Sequence, residues 1–143
     1  MRRAVCRLAG VAAFVGLAVG CSSEPPLAQL SGTVKFKGEP VPAGYISFTP
    51  EVAAGGKGQV RVVQIRNGAF DSSKEPTPGI FPGPCVVRIA GFDGKGVKFW
   101  PQGKQIFNPV ELKDTVPAGA TTKEFVVPES AGKNVKIEPT ADE

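Results

Sequence analysis

From Leu30 onward, apolar and polar residues alternate with a period of two, and Gly or Pro interrupts the alternation every few residues. In LSGTVKF, Leu30, Gly32, Val34 and Phe36 fall on one face of an extended chain, and Ser31, Thr33 and Lys35 fall on the other. Successive side chains of a strand point to opposite sides, so the pattern predicts ribbons with one buried and one wet face. No amphipathic helix can be read in this region. The chain therefore reads as short strands joined by turns.

The breakers divide the region into seven expected strands. After LSGTVKF, GEPVPAG reads as a turn with Gly38, Pro40 and Pro42 as breakers, and YISFT then places Ile46 and Phe48 inward, Ser47 and Thr49 outward. A Gly-rich loop, EVAAGGKG, leads to QVRVVQIR, whose apolar positions slip from Val60 and Val62 to Val63 and Ile65. That slip predicts a bulge. Asn67-Gly68 is the strongest hairpin signal, because a type I′ turn needs positive φ at both central residues, so a further strand starts at Ala69. KEPTPGIFPGP, with four prolines in eleven residues, reads as an irregular crossing. CVVRIAGF puts Cys85, Val87 and Ile89 on one face, with Val86 and Arg88 opposite. TTKEFVV and KNVKIE close the set, the second with Val135 and Ile137 inward and Lys136 and Glu138 outward. The expected architecture is all-β, a single antiparallel seven-stranded β-sandwich.

The start of the chain does not belong to that fold. Arg2, Arg3 and Arg7 precede an uncharged apolar run of 12 residues, LAGVAAFVGLAV (8–19), and small residues follow. This is the layout of an export signal. The run falls short of the roughly 18 residues a spanning helix needs, and it has no polar face that would suit a core helix. Cleavage between Gly20 and Cys21 is expected. Ala18-Val19-Gly20 before Cys21 also resembles the bacterial lipobox, whose cysteine is joined to diacylglycerol and whose freed amine is usually acylated. The lipobox usually has Leu three positions before the cysteine, where this chain has Ala18 and carries Leu17 one step further out. The competing reading is a secreted protein with an unmodified Cys21.

The expected layout is therefore a signal over 1–20, a lipidated N-terminus and tether over 21–29, a domain over 30–139 and a short acidic tail over 140–143. SSEPPLAQ (22–29) spans about 25 Å at full extension. Two or three acyl chains hold a membrane where one does not. Ser22 after the cysteine, rather than Asp, resembles lipoproteins sent on to the outer membrane. Three of the 17 Lys and Arg precede Cys21, leaving 14 against 13 Asp and Glu, so the mature chain is near +1 rather than +4. No basic face remains, which argues against a nucleic-acid partner.

Counting also narrows the chemistry. The chain has no histidine, which removes the Ser-His-Asp triad, the Cys-His pair and zinc sites of the two-His type. Cys6, Cys21 and Cys85 are odd in number and form no CxxC pair, so neither a disulfide framework nor a zinc knuckle is encoded.

LSGTVKFKGEPVPAGYISFTP resembles the opening of the carboxypeptidase regulatory-like, transthyretin-like β-sandwich family. RNGAF is similar to that family's DGxF hairpin, with Asn67 in place of Asp, and PGPCVVRI to its PGxYxVxI strand, with Cys85 at or beside the aromatic position. The resemblance covers about 110 residues, 30–138, and short copies behind a lipobox resemble predicted lipoproteins of planctomycete bacteria. It implies a non-catalytic transthyretin-like or Ig-like sandwich. Hydroxyisourate hydrolase activity is not implied, because that site is histidine-dependent and has a tyrosine-containing tail, whereas the one tyrosine here is Tyr45.

The candidate sites are few. Cys85 alternates with Val87 and Ile89 and reads as a buried, inert thiol. Asp71, Asp93 and Asp114 stand at strand ends or loops, but no DxDxDG spacing links them, so no metal site is assigned. DGKGVKFWPQGKQIFNP (93–109) holds Phe99, Trp100 and Phe107 among Lys95, Lys98 and Lys104, a candidate binding patch for a sugar ring or a protein. The alternative is that these aromatics cap the end of the sandwich. No cofactor and no catalytic residue is expected. The functional expectation is an exported, lipid-anchored envelope protein that presents an interaction or structural module to an envelope protein or polysaccharide. The alternative is a carbohydrate- or calcium-binding module using the 93–109 loop.

Overall fold

The computed structural model describes residues 26–135. Gly20, Cys21, most of the tether, Ile137 and the acidic tail lie outside these residues. Eight strands form one curled sheet: β1 (Gln29–Phe36), β2 (Glu39–Pro40), β3 (Ala43–Pro50), β4 (Arg61–Arg66), β5 (Ala69–Asp71), β6 (Gly83–Phe92), β7 (Gln105–Val116) and β8 (Ala120–Val127). Short 3₁₀ turns are the helical elements of the described residues. The sheet runs β2-β1-β5-β4-β3-β6-β7, with β8 against the other edge of β1.

Of the residues expected to face inward, Leu30, Val34, Phe36, Ile46, Phe48, Cys85, Val87 and Ile89 join one buried cluster, together with Val63, Ile65 and Phe70 on either side of the Asn67-Gly68 turn, whereas Gly32 and Val135 are half-buried. Asn67 and Gly68 have φ of 51° and 75°, and Arg66 pairs with Ala69 across them, as a type I′ hairpin requires. Phe36 on β1 and Phe107 on β7 stand far apart in sheet order, yet their ring centroids are 5.0 Å apart. Contact across the sheet's own width requires the sheet to curl until its inner faces meet.

Four expectations need correction. The fold is not wholly antiparallel: β8 lies parallel to β1 over eight residue pairs, from Gln29↔Ala120 to Phe36↔Val127. After Val116 the chain turns through Gly119 at φ 87°, whose carbonyl accepts from Gln29 N–H at 2.9 Å. This places β8 against β1 rather than against β7. Second, GEPVPAG is more than a turn. Lys37 and Gly38, with φ of 53° and 80°, close a tight hairpin that folds Glu39–Pro40 back onto Lys35 and Phe36, while Val41 is fully buried.

Third, no bulge occurs in β4. Its pairing with β3 runs unbroken from Ala43↔Arg66 to Phe48↔Arg61, so strand parity leaves Val62 on the outer surface, and Val60, just before the strand, is also exposed. The irregularity sits in β7, a strand that the alternation did not reveal, where the register shifts twice. Between Ile89↔Val110 and Gly91↔Phe107, Ala90 faces both Asn108 and Pro109, and a second shift follows between Gly91↔Phe107 and Phe92↔Gln105. The extra residue shifts parity, so odd-numbered Phe107 and even-numbered Val110, Leu112 and Val116 all turn toward the core. Pro109 is tolerated there because a bulge leaves one residue out of the ladder. Fourth, KNVKIE does not begin as a strand: Glu129–Gly132 is a 3₁₀ turn and residues 133–135 are irregular.

Candidate functional site

The β6–β7 connection is an ordered hairpin. Asp93 N–H donates to the Lys104 carbonyl at 2.9 Å and Gly94 N–H to the Gln102 carbonyl at 3.0 Å, which carries the two strands beyond their ends. At the far end Val97 and Trp100 exchange both backbone hydrogen bonds at 2.9 Å, so Lys98 and Phe99 form the apex. Asp93 staples the base: its Oδ1 accepts from Lys95 N–H at 2.9 Å and from Lys104 N–H at 3.0 Å. The Lys95 amide above all holds the Asp93 carboxyl below its usual range; desolvation opposes it, and the Lys104 amide and both ammonium groups add to the lowering. Gly103, at φ 84°, passes so close to that carboxylate that a Cβ would overlap it. A side-chain hydrogen bond from Gln102 Nε2 to Gln64 Oε1, 3.1 Å, ties the hairpin to β4.

The three aromatics of this segment do not form one patch. Phe107 is 0 % exposed and packs on Phe36. Phe99 is 80 % and Trp100 44 % exposed, and Val97, which sequence reasoning did not single out, is 64 % exposed. Lys98 Nζ stands 5.6 Å from the centroid of the Phe99 ring. Lys95, Lys98 and Lys104 are all exposed, and none of them takes part in an ion pair of the described residues. The signal for Val97 was its place opposite Trp100 across a two-residue apex, which becomes visible only once the hairpin is recognised.

The remaining candidates are committed to structure. Cys85 is buried among Val87, Ile89 and their neighbours, and burial raises its thiol pKa, with a smaller push from the Asp114 charge. Asp71 caps the turn Ser72–Lys74, accepting from Ser73 Oγ at 2.6 Å and Ser73 N–H at 3.0 Å, and these bonds lower its pKa. Asp114 accepts from Thr115 N–H at 2.8 Å and pairs with Lys123. The three carboxylates therefore serve different elements, a 3₁₀ turn, a hairpin base and the β7–β8 pair of strands, and no cluster of three or more potential metal ligands occurs among the described residues.

Two open grooves flank the sheet. One, on β4, is lined by Val60, Val62, Gln64, Arg66 and Glu75 among others. Glu75, whose side chain is 7 % exposed, accepts from Gln64 N–H at 2.9 Å and stands 3.6 Å from Arg66, which caps the free edge of β4. The other groove holds Ser31, Asp71, Ser73 and Thr122. In the second groove the Ser73 hydroxyl donates to the Asp71 carboxylate, which also caps the Ser72–Lys74 turn. No helix of the described residues is long and apolar enough to cross a membrane. Comparison with protein-family models and with curated proteins gives no match for this chain.

Proposed function

We propose that the chain is an exported bacterial lipoprotein in which Cys21, after cleavage behind Gly20, carries the lipid that ties a non-catalytic β-domain to a membrane. The outer membrane is the favoured destination, and the role is interaction or structural support in the envelope. One sequence observation carries this reading: three arginines, an uncharged apolar run at residues 8–19 and small residues stand directly before a cysteine. The absence of histidine supports a binding rather than a catalytic role.

The domain itself we read as a transthyretin-like sandwich, β4-β3-β6-β7 facing β8-β1-β5, with the Asn67-Gly68 hairpin as the corner between the layers. This reading is supported by the single residue pair joining β4 to β5 and by a buried cluster fed from both groups of strands.

The test is the mass of the N-terminal peptide from the membrane fraction of expressing cells, for the wild type and Cys21→Ser. We expect a peptide that begins at Cys21 with added diacylglycerol, and loss of both the lipid and membrane retention in the variant. A free Cys21 thiol or an uncut chain would refute the lipoprotein reading. A carbohydrate-binding role at the exposed end of the β6–β7 hairpin is the second reading, favoured by the exposure of Phe99 and Trp100.

A further inference from the structure

The apex of the β6–β7 hairpin combines features that packing leaves unexplained. Val97, Phe99 and Trp100 are among the large apolar side chains left in solvent, all within four residues. Exposed aromatic and aliphatic groups gathered at one projecting point mark a contact surface. They are preordered by the Val97–Trp100 backbone pair and by the Asp93 staple, so little conformational entropy is lost when they engage a partner. Lys95, Lys98 and Lys104 are exposed in the same segment, whose one acidic residue, Asp93, accepts from the Lys95 and Lys104 amides at the base of the hairpin.

The shape of this point decides between partners. A sugar site typically adds converging polar groups to its aromatic platform, and the two grooves flanking the sheet are lined by other residues. The hairpin runs on past the paired ends of β6 and β7, and its exposed end carries apolar rings and lysines side by side, Lys98 Nζ standing 5.6 Å from the Phe99 ring centroid. That mixture matches a bilayer interface, where indole and phenyl rings settle among headgroups and lysine stems reach to anionic phosphates. We propose that this apex is a lipid-contacting element: Val97, Phe99 and Trp100 enter the interface of an anionic bilayer, and Lys95, Lys98 and Lys104 lie against its phosphates. The proposal builds on the reading of the chain as membrane-anchored.

It also determines how the domain lies. The chain enters the sheet where Ala28 pairs with Ile80 and Gln29 meets Gly119. The hairpin leaves from the other end of β6, beside Pro42 and Ala43. The ten residues of β6 separate these ends by about 33 Å. A domain standing on its tether would hold the apex away from the surface, so the domain lies along the bilayer, held at one end by the anchor and at the other by the hairpin.

Trp100 is the one tryptophan of the full chain and reports its own depth. The full chain, purified from membranes with its N-terminus intact, is reconstituted in vesicles of equal parts phosphatidylcholine and phosphatidylglycerol. Bromine is carried on the lipid chains, either near the glycerol or near the terminal methyl. We expect about twofold quenching of Trp100 by the shallow label, weaker quenching by the deep one, and loss of both in Phe99→Asp. Phe99 is exposed, so that variant keeps the fold, which far-ultraviolet circular dichroism checks. Unchanged Trp100 emission in vesicles that carry the chain overturns the proposal. So does a Trp100 shift on adding soluble oligosaccharide without vesicles, which would assign the apex to sugar. The N-terminal mass decides the anchor separately. If it shows no lipid, the same vesicles in excess still test the apex, and an unquenched Trp100 again overturns it.

Discussion

At the scale of single residues, Phe99 and Phe107 show how one composition signal divides into two roles. Both are aromatic and both follow a lysine-containing stretch, and Phe107, set between the two register shifts of β7, is the one in the core. Phe107→Ala should cost about 3–5 kcal/mol of stability, whereas Phe99→Ala should change it by no more than about 0.5 kcal/mol. Urea denaturation of the two variants measures both, and equal losses would contradict the assignment of one to the core and the other to the surface. Gly32 makes a different kind of demand. At φ 154°, its missing Cβ leaves room for the Lys123 carbonyl of the parallel strand. Gly32→Ala should destabilise by about 3 kcal/mol through overlap with that backbone, visible as a lowered denaturation midpoint.

At the scale of elements, the β6–β7 hairpin depends on one ionised carboxylate. The folded Asp93 carboxyl is held below its usual pKa, first by the Lys95 amide. Its contribution is therefore present above the unfolded pKa and is lost as pH falls through the lower, folded value. Titration followed by amide chemical shifts should move Lys95 and Lys104 together, with a midpoint below that of an unstructured aspartate. A midpoint at or above that value, or independent transitions at the two amides, would count against the staple. Asp93→Ala should loosen the apex while leaving the core strands folded, because none of the buried cluster lies in residues 93–104. The strand β7 shows why this region read as a loop from sequence: its alternation changes parity at Pro109, so no single period runs through it.

At the scale of the whole molecule, one buried cluster draws on both ends of the sheet. Phe70 on β5 and Phe125 on β8 approach to 5.7 Å, and Phe36 meets Phe107 at 5.0 Å. Strands that share one core cannot release their apolar faces separately, so unfolding should be a single cooperative transition. Far-ultraviolet and near-ultraviolet circular dichroism should give coincident urea curves. Separated midpoints would show that β8 or the hairpins detach as independent units.

Local sequence determined the faces of β1, β3 and β6, the Asn67-Gly68 hairpin, the Pro-rich crossing and the buried place of Cys85. Each follows from side-chain alternation or from turn residues that act over a few positions. Tertiary structure decided the rest. The parallel seat of β8 beside β1, the parity shift in β7 and the division between a core Phe107 and an exposed apex all depend on pairings between residues distant in the chain. A period of two says which side chains share a face, but it carries no information about which strand lies alongside, because every strand offers the same row of backbone donors and acceptors.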